Sequence, residues 1–103
     1  MSPVNELSSR QRKYLRGLAH DLEPVVHVGK GGASDDLVRQ VGRALDAHEL
    51  IKVRFVAGKD EKAALVDELV ARTGAAAAGT VGHVAILYRP QTDPAKRRIH
   101  LPG

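Results

Sequence analysis

The chain has 103 residues, a length that suits one domain built around a single hydrophobic core. It contains no cysteine, which excludes disulfides and thiolate metal sites, and hydrophobic residues make up 43% of it. No apolar run approaches the roughly 20 residues of a membrane span, and the N-terminus lacks the apolar stretch of a signal peptide. We therefore expect a cytoplasmic protein without a membrane segment.

Positive charge is concentrated at the two ends of the sequence. The formal net charge is +4, and residues 1–20 and 89–103 each carry +3 whereas residues 21–88 carry −2. Basic ends on a near-neutral body favour a polyanionic partner. The alternative is an ordinary solvated surface, because runs of charge are often no more than that.

The first predicted helix begins at a serine cap, Ser8 or Ser9, and runs to about Ala19. The helical period places a core-facing apolar stripe on one arc, formed by Tyr14, Leu15, Leu18 and Leu22. The opposite arc carries Arg12, Lys13, Arg16 and His20. This basic face is about two turns long and suits phosphate groups.

A glycine-rich loop follows the first predicted strand, Val25–Val28, whose valines are typical of a short buried strand. The glycines of Gly29–Gly32 permit positive φ and close approach of another molecule, and Lys30 lies at the tip. Ser34 is a natural cap for the helix that follows. The loop can therefore hold a phosphate chain, and a plain turn with an exposed lysine is the alternative.

Three better-known glycine loops fit this stretch poorly. A KH domain places its Gly-x-x-Gly loop between two helices, whereas here a strand precedes the loop. A dinucleotide fingerprint needs G-x-G-x-x-G spacing, and the third glycine, Gly32, comes too early. A Walker loop is excluded because no Gly-Lys-Ser/Thr is present.

The middle of the chain alternates between helix and strand. The second helix is predicted from Asp35 to about Ala47 and the second strand from Leu50 to Val56. That strand alternates, with Ile51, Val53 and Phe55 on one side and Lys52 and Arg54 on the other. Period-two alternation predicts a sheet with one covered face and one wet, partly basic face.

The last third of the chain holds a helix and a hairpin. The third helix is predicted from a cap at Asp60 to Gly74, and the alanine run 75–78 is read as a poor strand. Gly82-His83 is compatible with a type II′ turn, and Val84–Tyr88 is the last strand. Beyond Pro90 the chain is polar and basic, with Ile99 and Leu101 as candidates to dock back.

These elements predict an α/β fold in which three helices pack on a four-stranded mixed sheet, in the order α-β-α-β-α-β-β. We expect one domain over residues 1–103, with a mobile basic tail from about residue 90. The expected core comprises Leu15, Leu18, Val41, Leu45, Val53, Phe55, Leu65, Leu69 and Ile86.

Catalytic and metal sites find little support in the sequence. The five histidines lie far apart, and none shows the i, i+4 spacing of a helical metal pair. For Glu49, beside His48, a role in reversing the chain is favoured over acid–base chemistry. Tyr14 and Phe55 are predicted in the core, so a base-stacking platform is not expected. We expect no enzyme, no cofactor and no metal.

Four blocks in order resemble the YhbY family, the stand-alone CRM domains named for chloroplast RNA splicing and ribosome maturation. The blocks are Leu7-Ser8-Ser9-Arg10-Gln11-Arg12-Lys13-Tyr14-Leu15-Arg16-Gly17-Leu18-Ala19-His20, Pro24-Val25-Val26-His27-Val28-Gly29-Lys30-Gly31-Gly32, His48-Glu49-Leu50-Ile51-Lys52-Val53 and Leu87-Tyr88-Arg89-Pro90. The resemblance spans roughly residues 7–101. The chain departs from the family pattern at His83, where members often carry a lysine.

The resemblance implies a fold similar to the C-terminal domain of translation initiation factor three. It also implies binding of ribosomal RNA in precursors of the large subunit, with ribosomal proteins as further partners. The expected RNA contacts are Gly29, Lys30, Gly31 and Gly32 of the loop, Arg12, Lys13 and Arg16 of the first helix, and Lys52 and Arg54 of the sheet. Two alternatives stay open, a small enzyme that holds a phosphorylated ligand at the loop and an adaptor for an acidic protein.

Overall fold

The computed structural model describes residues 7–29, 32–56 and 59–102. Its helices are α1 (Ser9–Ala19), α2 (Asp35–His48) and α3 (Lys59–Thr73), and its strands are β1 (Pro24–Val28), β2 (Leu50–Phe55), β3 (Ala76–Val81) and β4 (Val84–Tyr88). A short 3-10 helix spans Pro94–Lys96. The sheet has the order β1-β2-β4-β3, with β1 parallel to β2 and the other pairs antiparallel. The predicted fold class and element order are confirmed.

Sequence-local signals account for the helix ends. Ser8 caps α1 in a capping box, because its hydroxyl accepts from the Gln11 N–H while the Gln11 side chain accepts from the Ser8 N–H. Ser34 caps α2 with its hydroxyl alone, which accepts from the Leu37 N–H. Gly82 opens the β3–β4 turn with a φ of 58°, as a type II′ turn requires. No helix in the described ranges has the length and apolar content needed to cross a bilayer.

The larger part of the core lies on one face of the sheet, beneath α2 and α3. The alternating side chains Ile51, Val53 and Phe55 of β2 meet Val41 and Leu45 of α2 there, and all five are buried. Leu69 of α3 completes this layer and is fully buried. The sequence predicted all six residues to be buried, and this is confirmed. The period-two alternation of β2 therefore identified the covered face of the sheet correctly.

The opposite face of the sheet is not simply wet, as the alternation of β2 had predicted. α1 packs across part of it and buries Leu15 and Ala19 against Ile86, Tyr88 and the alanines of β3. The small side chains of β3 let α1 approach this strand closely, which explains why a strand is built from residues with weak strand preference. Only the part of this face that α1 leaves open faces solvent.

The apolar stripe predicted for α1 is only partly buried. Leu15 is fully buried, but Tyr14, Leu18 and Leu22 are 41%, 42% and 39% exposed, so their predicted core positions are wrong. Leu65 of α3, also predicted in the core, is half-buried at its edge. α1 meets the sheet along a narrow line centred on Leu15, and a wider arc of apolar residues has nothing in the described chain to cover it fully.

The segment after β4 returns to the body through Glu49. This residue joins α2 to β2, has a φ of 61° and is fully buried. Its carboxylate accepts three backbone N–H groups of the tail, from Gln91 at 3.0 Å, Arg98 at 2.6 Å and Ile99 at 3.3 Å. Ile99 and Leu101 pack against the residues beneath α1, so their expected docking is confirmed. The mobility of the rest of the tail stays a prediction.

Candidate nucleic-acid interface

The glycine-rich loop lies between the end of β1 and the start of α2, as predicted, and Lys30 and Gly31 fall outside the described residues. Gly29 is exposed, and a Cβ there would meet no described atom within 4 Å. Gly32 is different, because its φ is 69° and a Cβ would lie 3.3 Å from the Leu65 side chain. Gly32 is therefore required by the fold of the chain itself, whereas Gly29 leaves space that the chain does not use.

The β1–α2 loop, the chain that leaves β2 and the β3–β4 turn all lie at one end of the sheet. The Val56 N–H donates to the Val28 carbonyl, which joins the exits of β1 and β2. The Phe55 N–H donates to the His83 carbonyl at 2.7 Å, which places the hairpin turn beside the exit of β2. The glycine-rich loop and the hairpin turn thus flank the same end of β2.

An open strip crosses the sheet next to this end, formed by Val81, Val84, Arg54 and His27. The register places these four residues opposite one another on neighbouring strands, so their side chains share one face. Arg54 and His27 are exposed, Val81 is 66% exposed and Val84 is half-buried. The exposed position predicted for Arg54 is confirmed. We call this set the open strip.

The open strip lies between the loop end of the sheet and α1. The Arg16 guanidinium donates to the Ala78 carbonyl at 3.1 Å, and the Lys52 ammonium donates to the His20 carbonyl at 3.3 Å. α1 therefore crosses the sheet above the row that contains Gly79 and Lys52, two residues along the strands from the open strip. Two strand residues span about 7 Å, so Arg16 and Lys52 lie at the margin of the strip.

The predicted basic residues of α1 divide into two kinds. Arg12 is half-buried and donates to the Leu7 carbonyl at 2.9 Å, and Arg16 lies over β3, so both also have structural roles. Lys13 is exposed. Lys52, predicted on the wet face, is half-buried beneath the end of α1. The structure thus places Arg54 on the open strip and Arg16 and Lys52 at its margin, whereas Arg12 contacts the Leu7 carbonyl at the start of α1.

Two aspartates at the start of α2 stand close to the glycine-rich loop, and both are paired with arginines. The Arg72 guanidinium binds Asp35 and holds the pKa of that carboxyl below its usual range, through a hydrogen bond and charge attraction. Asp36 pairs with Arg39 one turn further along. These cations offset the negative charge that the two aspartates place beside the loop.

Arg89, a basic residue of the C-terminal part, makes hydrogen bonds within the fold. The Arg89 guanidinium donates to the carbonyls of Thr73 and Gly42, at 2.7 and 2.9 Å, and to the Asp46 carboxylate at 2.6 Å. It thereby fastens the ends of α2 and α3 to β4. Within the residues that the structure describes, no group of three or more acidic, histidine or cysteine side chains could hold a metal ion.

His27 was not singled out from the sequence, and His83 was named only in the predicted hairpin turn and as a departure from the family pattern. His27 lies directly opposite Arg54 in the register, and His83 lines a shallow hollow with Arg54 at the hairpin. The parallel pairing of β1 with β2 brings the first pair together, and nothing in the local pattern of either strand specifies that register. For His83 the sequence signal was its place in the predicted hairpin turn after Gly82, and this signal did not show that it would lie beside Arg54.

Comparison with known proteins settles the family. A model of the CRS1/YhbY (CRM) domain matches residues 7–89. The chain belongs to the CRS1/YhbY family. The resemblance drawn from the four sequence blocks is confirmed, and the matched CRM region contains all three helices, the whole sheet and the glycine-rich loop.

CRM relatives are similar to the chain over nearly its full length. A Haemophilus influenzae protein named "RNA-binding protein" is 42% identical and covers 96% of this chain and 98% of its own length. The Bacillus subtilis "Probable RNA-binding protein YqeI" is 34% identical, over 93% and 99%. The solution structure of the hypothetical protein SAV1595 from Staphylococcus aureus matches with a TM-score of 0.81 at 32% identity, over 93% and 99%.

Proposed function

We propose that this protein binds structured RNA through the phosphate backbone and acts in assembly of the large ribosomal subunit. The observation that carries the proposal is the exposed Arg54 on the open strip, with Arg16 and Lys52 at the margin of that strip, near the end of the sheet that the glycine-rich loop flanks. Cations spaced along a shallow surface suit phosphates, which hold RNA without reading its sequence.

The shape of this surface favours helical RNA over splayed single strands. The open strip carries arginine, histidine and valine but no phenylalanine, tyrosine or tryptophan, so it lacks the large rings of a typical stacking platform. Double-stranded RNA is recognised mostly by its shape and by backbone contacts. In this proposal the glycine-rich loop approaches one phosphate chain closely through Gly29, and Lys30 adds charge at its tip.

The cellular partner in this proposal is ribosomal RNA in precursors of the large subunit, with ribosomal proteins nearby and the cytoplasm as the compartment. The support is the family resemblance, together with the RNA-binding names of two relatives that cover nearly all of this chain. Crosslinking in cells, followed by sequencing of the bound RNA, tests this part directly. Recovery of messenger or transfer RNA in place of ribosomal RNA would contradict it.

The binding surface is tested with a matched pair of arginines. Arg54→Ala removes an exposed cation from the open strip, and Arg43→Ala removes an exposed cation from α2, on the far side of the sheet. In fluorescence anisotropy with an RNA hairpin, Arg54→Ala should weaken binding by about fivefold, or roughly 1 kcal/mol, because one charge-assisted contact is lost. Arg43→Ala should bind like wild type. Equal losses would indicate a diffuse charge effect in place of this surface.

A further inference from the structure

α1 carries a second surface on the side that faces away from the sheet. A hollow of about 580 Å³ lies there, lined by Arg10, Lys13, Tyr14, Gly17, Leu18 and Pro102. We call it the α1 hollow. Its size falls within the range of small-ligand sites, roughly 300–1,000 Å³. Pro102 is held in place by Gln11, whose side-chain amide donates to the Pro102 carbonyl at 3.1 Å.

The α1 hollow presents an aromatic ring that the core does not use. Tyr14 is 41% exposed although it belongs to an apolar stripe, and Leu18 beside it is 42% exposed. The chain has only three aromatic residues, and Phe55 and Tyr88 are buried in the sheet. Among the phenylalanine and tyrosine residues of the chain, Tyr14 is thus the one whose ring is available to an external ligand.

Gly17 has no structural explanation in the part of the chain that the structure describes. It lies within α1, where glycine destabilises the helix relative to alanine. Apart from the helix's own backbone, a Cβ at this position would meet no described atom within 4 Å, and its φ is not positive. Neither packing nor backbone geometry therefore requires glycine. A missing side chain here leaves room beside the Tyr14 ring.

The charges around the α1 hollow identify the occupant. Arg10 and Lys13 line it, and both are exposed. A flat apolar surface next to cations matches a nucleotide, whose base stacks on an aromatic ring while its phosphate meets the positive charge. Lys13 also belongs to the basic face of α1, so the hollow adjoins the proposed RNA surface.

We propose that the α1 hollow binds one unpaired nucleotide of the RNA, with its base stacked on Tyr14 and its phosphate at Lys13 and Arg10. The inference rests on the proposed function and adds a preference to it. The sheet face holds helical RNA by shape, and the hollow selects helices that carry a bulged or flanking unpaired base. Gly17 keeps the space into which that base enters.

The test compares two RNA hairpins of equal length, one fully paired and one with a single bulged nucleotide, in anisotropy titrations at one salt concentration. Wild type should bind the bulged RNA about tenfold more tightly. Tyr14→Ala should remove that preference, and Tyr14→Phe should keep it, because stacking needs the ring and not the hydroxyl. Arg54→Ala should weaken binding of both hairpins equally.

Gly17→Ala gives a second test, in which a loss of RNA preference cannot be explained by a failure of the variant to fold. It should raise the melting temperature by a few degrees, because alanine favours the helix, and yet reduce the preference for the bulged RNA several-fold. Gly42→Ala is the matched control, a helical glycine in α2 that also has nothing within 4 Å. It should raise the melting temperature and leave both affinities unchanged.

Each result bears on one of the two proposals. Wild type that binds both hairpins equally, or a preference that survives Tyr14→Ala, overturns the α1 hollow as a nucleotide site. Wild type that binds neither hairpin overturns the proposed function instead. A quench of 2-aminopurine at the bulge, lost in Tyr14→Ala, would support stacking on the ring itself.

Discussion

The buried carboxylate of Glu49 offers the sharpest test of how this fold is held together. Its two oxygens accept three backbone N–H groups from the tail, at 2.6 to 3.3 Å. Hydrogen bonds to a charged group contribute about 1.5–3 kcal/mol each, so simple addition would give roughly 4.5–9 kcal/mol. The real loss is capped, because the tail can detach and its N–H groups can then bind water. We expect Glu49→Gln to destabilise the protein by about 2–3 kcal/mol.

The predicted loss is large against the 5–15 kcal/mol typical of a domain, and it should lower the melting temperature by roughly 10–20 °C. Circular dichroism measures the melting, and hydrogen exchange should show faster exchange at the amides of Gln91, Arg98 and Ile99. Glu61→Gln, an exposed glutamate of α3, is the control and should melt like wild type. A Glu49→Gln protein with wild-type melting and slow tail exchange would refute the anchoring role.

The backbone of Glu49 gives an independent check. A φ of 61° costs a residue other than glycine about 1–2 kcal/mol. Both Glu49→Ala and Glu49→Gly lose the carboxylate, but only the glycine variant also loses this strain. Glu49→Gly should therefore be more stable than Glu49→Ala by about 1 kcal/mol. The opposite order would show that the positive φ of this residue is not maintained when the carboxylate is absent.

Four further outcomes follow from the proposed RNA surface and the core. Lys13→Ala should reduce the slope of log affinity for RNA against log salt concentration by about 1, measured between about 50 and 200 mM salt. Lys30→Ala should weaken binding by roughly 1 kcal/mol with unchanged melting. Gly29→Ala should weaken binding without affecting melting, whereas Gly32→Ala should also lower the melting temperature, because its φ is positive and Leu65 lies in the way. Burial, and then the negative charge of Glu49, raise the pKa of Tyr88 above its ordinary value near 10. The free energy of unfolding should therefore fall as the pH rises beyond about 10, and Tyr88→Phe should reduce that fall.

The sequence predicted the elements well because each carries its own local signal. Serine caps located the starts of α1 and α2, and period-two alternation assigned Val53 and Phe55 to the core face. The alanine-rich β3 was also placed, since Gly74 and the hairpin residues bracket it. Such signals depend only on neighbours in the chain, and single-sequence reasoning can use them fully.

The sequence could not predict which part of a sheet face another layer covers. Lys52 and Arg54 have the same parity in β2, and the alternation pattern treats them alike. α1 crosses above Lys52 and leaves Arg54 open, because β3 offers alanines on which the helix can lie closely. The same crossing leaves Tyr14 outside the core. The path of α1 is fixed by side-chain volumes on a distant strand, which no local period records.

Some of the positive charge at the two ends of the chain also makes structural contacts within the fold. The C-terminal excess includes Arg89, which donates three hydrogen bonds to two carbonyls and a carboxylate, and the N-terminal excess includes Arg12, which donates to the Leu7 carbonyl. Arginine donors that bond to carbonyls of the chain are not free for an RNA phosphate, so these two residues offer fewer contacts than their charge suggests. The salt dependence of binding should therefore follow exposed cations such as Lys13 and Arg54. An Arg89→Lys variant should lose stability, since a lysine cannot span the same three acceptors, and at a temperature where it stays folded its salt slope should equal that of wild type.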